Sequence, residues 1–295
     1  MSFLDIFTVP FMLNAFIGGL LVSVLLSVLS FFIYVKKWSF INVGISHAAF
    51  GGLAIGFFAG INPTLTGSIF AVLVGMLIGY ISKKGKIHED LTVGILLSFS
   101  MAFGVVLISF SNNYNSDLFA FLFGNILTIT KEDLIYISIF TVFTIGFLLK
   151  YFDEILYCCF DEDLAYIGAV NTNFLYYSVI TLIAIATVLS IKLVGSILSA
   201  AMIILPAAVS SQLAWHYKKI ITLSIIFSLI IVSAGIILSF YFNLPSGSTI
   251  VILYSIVFFV IVLGKRLFWV MHSILEHSCK AVYFVKNVIW NFIFM

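Results

Sequence analysis

The long apolar runs of this sequence contain no carboxylate. All twelve acids, Asp5, Glu89, Asp90, Asp117, Glu132, Asp133, Asp153, Glu154, Asp161, Glu162, Asp163 and Glu276, lie between those runs or at their ends. Proton-coupled pumps and exchangers work through buried Asp or Glu, so their absence weighs against that class. Charge of either sign is scarce at 9 % of residues, against roughly 25 % in soluble domains. The net charge of +2 is too small and too dispersed for a nucleic-acid surface. Cys158, Cys159 and Cys279 have neither metal-ligand spacing nor the even count of a disulfide framework, and they read as packing residues. No basic residue precedes Lys36, so the charged leader of a secretory signal is missing and the first apolar run is expected to stay in the protein. Neither Gly85-Lys86 nor Gly264-Lys265 has a glycine five residues earlier or a Ser or Thr after it, which excludes a phosphate-binding loop. Any nucleotide must be handled by another chain.

What is abundant is hydrocarbon: 63 % of residues are hydrophobic. A helix that crosses about 30 Å of bilayer needs about 20 apolar residues. The chain supplies nine such runs, near 11–35, 39–60, 64–82, 91–110, 132–150, 174–191, 195–214, 220–241 and 249–264. The expected fold is an all-α polytopic membrane protein, with residues 1–264 as the transmembrane domain and 265–295 as an interfacial or cytoplasmic tail. With the N-terminus outside, Lys36, Lys37, Lys83, Lys84, Lys86, Lys150, Lys218, Lys219, Lys265 and Arg266 are cytoplasmic, while only Lys131 and Lys192 are external. That asymmetry sets the orientation by the positive-inside rule. Two connections are long. The outer one, 111–131, holds a short apolar piece over 117–127 expected to lie against the outer mouth. The cytoplasmic one, 151–173, carries five acids within eleven residues.

His47 stands inside the second run, where an ionisable group is expensive unless it faces a cavity or partner. Neutral imidazole is a common ligand for first-row metals, and Asn42 and Ser46 are near enough in sequence to add amide or hydroxyl ligands. Gly51 follows His47 by one turn, and Gly52, Gly56 and Gly60 repeat at four-residue spacing, a bare strip that serves helix packing or a path equally well. In the seventh run Pro206 removes the donor for the Met202 carbonyl, and small residues including Ser199 surround the break. Broken helices of this kind line substrate paths in transporters, and they also simply pack. FDEDLAYIGA, residues 160–169, reads as one short helix whose acids Asp161, Glu162 and Asp163 could meet a basic groove, with Ala165 and Gly168 as small docking positions.

These residues resemble the membrane permease of divalent-metal ABC importers, which move zinc, manganese or iron. The resemblance runs over nearly the whole chain to about residue 264, through ISHAAFGG at 45–52, HEDLTVGILLSFSMAFGVVL at 88–107, LFGNILTITKEDL at 122–134, FDEDLAYIGA at 160–169, VGSILSAAMIILPAA at 194–208 and LPSGSTIVIL at 244–253. It implies a type II importer-like permease that works as a homodimer, a cytoplasmic ABC ATPase dimer that binds the ATP, and an extracytoplasmic metal-binding protein. FDEDLAYIGA is similar to the coupling helix of that family. No covalent cofactor is implied; the metal ion, Zn2+ or Mn2+, is cargo. One departure concerns the site: the family usually has an aspartate one turn before the histidine, and here Val43 occupies that position. Zinc is the expected first choice for a histidine site with few hard carboxylates, with manganese or iron as the alternative. A secondary transporter acting alone would show buried acids and matched inverted halves, and an intramembrane metalloprotease would show a paired motif such as HExxH. His47 has no second histidine at helical spacing.

Overall fold

The computed structural model describes residues 10–110 and 129–266. Helices account for almost all of them: α1 Pro10–Lys36, α2 Ile41–Ala59, α3 Pro63–Gly85, α4 Glu89–Ser109, α5 Lys131–Lys150, α6 Phe152–Phe160, α7 Glu162–Ile167, α8 Thr172–Val194, α9 Ser196–Leu213 and α10 Tyr217–Phe242. A last helix, α11, covers Ser246–Arg266. Among the described residues, nine helices are long and apolar enough to cross a membrane, all but α6 and α7. Each of the nine runs expected from the sequence falls on one of them. Lipid offers no hydrogen-bond partners, so only closed helical backbones can carry such runs through it. The outer piece at 117–127 and the tail beyond Arg266 lie outside the described residues.

Local chemistry sets the ends. Thr130 and Asp133 cap α5 reciprocally, with Asp133 N–H donating to Thr130 Oγ1 at 3.2 Å and Thr130 N–H to Asp133 Oδ2 at 3.2 Å. Asn171 Oδ1 accepts from Phe174 N–H at 3.1 Å to start α8. Gly195 alone separates α8 from α9, at φ 86° and ψ 164°, a conformation essentially reserved for glycine. The expected connection at 192–194 is therefore helical, and the reversal is concentrated in one residue.

Residues up to Tyr254 form one compact unit, and Ser255 begins a second. Within the first, α2, α3 and α4 pack as one group, while α1 packs with α5, α9 and α10 as another. Helix α8 joins the two, touching α1, α2, α3 and α9. Small residues permit the close approaches. Ser23, Ser27 and Ser30 are fully buried on α1, and Ser228 Oγ of α10 donates to the Ser23 carbonyl at 3.2 Å. Tyr254 OH in turn donates to Ser228 Oγ at 2.6 Å. The outward faces of α4 and α5 carry Leu91, Ile95, Phe99, Ile139, Val142 and Phe143, all exposed, as expected where lipid or another membrane helix takes the place of water.

The short helix expected within 160–169 is present as α7, which spans only six residues, and a separate helix, α6, precedes it. Asp161 separates them in extended backbone, where its carboxylate accepts from the N–H groups of Asp163 and Leu164 at 3.0 Å each. An aspartate in that role ends one helix and starts the next.

Candidate functional site: an imidazole on the packed helix α2

Helix α2 is buried on most of its circumference, with Ile41, Ile45, Ala48 and Ala49 fully covered. Val43 and His47, one turn apart on a shared face, are only half-buried. Among the described residues, His47 Nδ1 is shielded from solvent and has no hydrogen-bond partner. A buried ring nitrogen without a partner forfeits the hydration it had in water.

The neighbouring donors expected from the sequence are largely engaged elsewhere. Asn42 is buried, and its Oδ1 takes the Thr187 hydroxyl of α8, which also reaches the Ile183 carbonyl at 2.7 Å. Asn42 Nδ2 has no partner among the described residues. Ser46 Oγ donates to the Val43 carbonyl of its own helix at 2.8 Å. Asn42 bonds α8, whereas His47, five residues on, stands roughly 140° further round the helix, so the two do not share a face. Gly51 is where α4 closes on α2: a Cβ there would stand 2.9 Å from the Ser100 carbonyl oxygen and 3.2 Å from a Phe70 ring carbon. Gly52 and Gly56 do the same for α3, with Cβ positions 2.7 Å from Gly67 Cα and 2.6 Å from Pro63 Cα. These glycines are occupied by packing.

On α9, Pro206 is buried inside an uninterrupted helix. The backbone beside it is stitched from α1: Ala207 N–H donates to Ser30 Oγ at 3.0 Å, and Ser30 Oγ reaches the Ile204 carbonyl at 3.5 Å. Proline alone announces the break but not the side chain that bonds the backbone beside it, so Ser30 escaped the sequence reading. Ser199 and Ser210 on the same helix, and Ser100 on α4, hold buried hydroxyls without partners among the described residues. The available donors are thus imidazole, amide and hydroxyl, all neutral. No group of three or more His, Cys, Asp or Glu capable of holding a metal occurs among the described residues.

At the α6–α7 end of the bundle, the three acids have separate roles. Asp161 caps α7, Glu162 pairs with Lys83 of α3, and Asp163 is exposed. Ala165 is buried, and Gly168 ends the helix. Phe160, Leu164 and Ile167 project outward, exposed by 77 %, 64 % and 79 %. This apolar surface beside an acid was missed because the acids dominate the segment's composition. Burial pushes the Cys158 thiol up, and pushes that of Cys159 up to about 11, so both are neutral packing groups.

Residues 8–265 match the family model described as ABC 3 transport family. This chain belongs to that family. A "Manganese transport system membrane protein MntC" of Listeria monocytogenes is 32 % identical over 250 residues, which cover 85 % of this chain and 89 % of that protein. A "Probable iron transport system membrane protein" of Haemophilus influenzae is 30 % identical over 255 residues, 86 % of this chain and 93 % of that one. The solved structure "PsaBC from Streptococcus pneumoniae in complex with Fab" superposes with a TM-score of 0.74 at 30 % identity, covering 86 % of this chain and 91 % of that chain. As an ABC 3 family member, the chain is a multi-pass membrane protein of permease architecture.

Proposed function

We propose that this chain is the permease subunit of an ATP-driven importer of a divalent transition-metal ion. The carrying observation is His47, half-buried on an otherwise packed transmembrane helix, with its Nδ1 shielded and without a hydrogen-bond partner among the described residues. A bilayer-spanning segment tolerates such a group where a cation or a polar path meets it. Asn42, Ser46, Ser199 and Pro206 lie on the two helices that flank the proposed route, and Gly51 sets how closely α4 approaches His47. The energy comes from a separate ATPase dimer that binds ATP, because this chain has no phosphate-binding loop. The exposed apolar surface of α7, with Asp163 beside it, is the docking element for that ATPase, and Ala165 and Gly168 give it its shape. Two copies of the chain enclose the path, and an extracytoplasmic metal-binding protein delivers the ion. The proposed setting is the plasma membrane of a prokaryote, and the basic residues between the runs support an orientation with the N-terminus outside and the C-terminus in the cytoplasm.

Two observations bear on the metal, and they point apart. An imidazole at His47 with Val43 in place of a carboxylate suits zinc, whose affinity for imidazole does not depend on a carboxylate. The names of the relatives speak for manganese or iron. Co-purification with the ATPase, reconstitution into proteoliposomes and uptake measured metal by metal decide between them. ATP-dependent accumulation of one of these ions is expected. Accumulation without ATP would instead make the chain a transporter that works alone.

A further inference from the structure

Glu162 is the acid of the α7 segment that turns inward. Its carboxylate pairs with Lys83 Nζ, two residues from the end of α3, and both side chains are partly shielded, at 25 % and 35 % exposure for Lys83 and Glu162. Lys83 Nζ also stands 5.0 Å from the centre of the Tyr176 ring in the second turn of α8. Tyr176 OH donates to Glu89 Oε1, the first residue of α4, at 3.4 Å, and its ring meets Trp38 edge to face at 5.5 Å between centroids. Asp90, next on α4, accepts from Phe40 N–H at 3.4 Å, just before α2 begins. A short chain of contacts therefore leads from α6–α7 to the end of α3 and to the starts of α4 and α2, the helices of the group that carries His47. Glu162 and Tyr176 also line a small cavity together with Lys36, Trp38 and Cys159.

We propose that Lys83, Glu162 and Tyr176 form a latch that passes movement of α6–α7 into α2, α3, α4 and α8, and that Lys83 and Tyr176 are positioning residues for transport. This rests on the reading of the chain as an ATP-driven permease. A displaced α7 must either drag Lys83 or break a partly desolvated, hydrogen-bonded ion pair, and the second course is the costly one. The pair thus behaves as a stiff link, while Asp163 and the apolar side chains beside it stay free for the ATPase.

The test uses the permease–ATPase complex in proteoliposomes and reads metal ions imported per ATP hydrolysed, a ratio that a purely structural strap does not move. Lys83→Met and Glu162→Gln should each lower that ratio by about five-fold or more, the scale of an ordinary coupling free energy. The exchange Lys83→Glu with Glu162→Lys should restore it, and Tyr176→Phe should keep most of it by retaining the ring under Lys83. An unchanged ratio in both single variants, or an exchange that recovers nothing or fails to assemble with the ATPase, overturns the latch. Failure of the unmodified complex to import any metal with ATP would fall on the functional reading instead.

Discussion

At the residue scale the proposed function rests on one imidazole. His47→Ala removes the proposed ligand, and a loss of only about 1.4 kcal/mol of barrier lowering is ten-fold in rate, so uptake in proteoliposomes should fall by at least that factor while the complex still assembles. Normal uptake in the variant would take away the proposed contact with the ion. Val43 offers the converse experiment. It shares the half-buried face with His47, and Val43→Asp would place a carboxylate one turn from the ring. Hard oxygen favours manganese over zinc relative to imidazole alone, so the manganese-to-zinc uptake ratio should rise. A ratio that does not change would mean that the ion passes elsewhere. His47 was legible in the sequence because an ionisable side chain in an apolar run has few cheap explanations. The commitment of Asn42 to Thr187 was not, since the two are 145 residues apart and nothing local links them.

At the scale of the element, the glycines of α2 and α4 make opposite predictions. Gly52 lies against backbone, with a Cβ position 2.7 Å from both Gly67 Cα and the Thr66 carbonyl oxygen. Gly52→Ala must push α3 away and should cost about 1–3 kcal/mol, the range for overpacking. Gly94 of α4 has nothing within 4 Å of its Cβ position. Gly94→Ala should therefore be neutral or stabilising by up to about 1 kcal/mol through helix propensity. Thermal unfolding of the detergent-solubilised protein compares the two, and equal losses would contradict the packing described for α2. The four-residue glycine spacing was plain in the sequence, yet spacing does not distinguish a packed strip from a lane. Only the positions of α3 and α4 show that the strip is filled. Likewise Pro206 marked a break in α9, whereas Ser30, which bonds the Ala207 N–H and Ile204 carbonyl beside it, belongs to another helix.

For the whole molecule, the decisive surface is the end formed by α6 and α7. Leu164→Ser and Ile167→Ser remove apolar side chains that are exposed by 64 % and 79 % and touch little of this chain. They should leave the fold intact and reduce co-purification of the ATPase by about ten-fold for the pair, the loss expected when two modest apolar contacts of an interface are deleted. Undiminished co-purification would move the docking surface elsewhere.

The sequence by itself determined the class of this protein: nine apolar runs of bilayer length, with the charged residues between them or at their ends, leave only a multi-pass membrane protein. These are properties of local composition, and the bilayer reads them one segment at a time. The tertiary structure decided which polar groups are satisfied across helices, which glycines are filled, and that Glu162 turns inward to Lys83 while Leu164 and Ile167 turn outward. Those outcomes depend on contacts between segments far apart in the chain, and no periodicity within one segment encodes its neighbour.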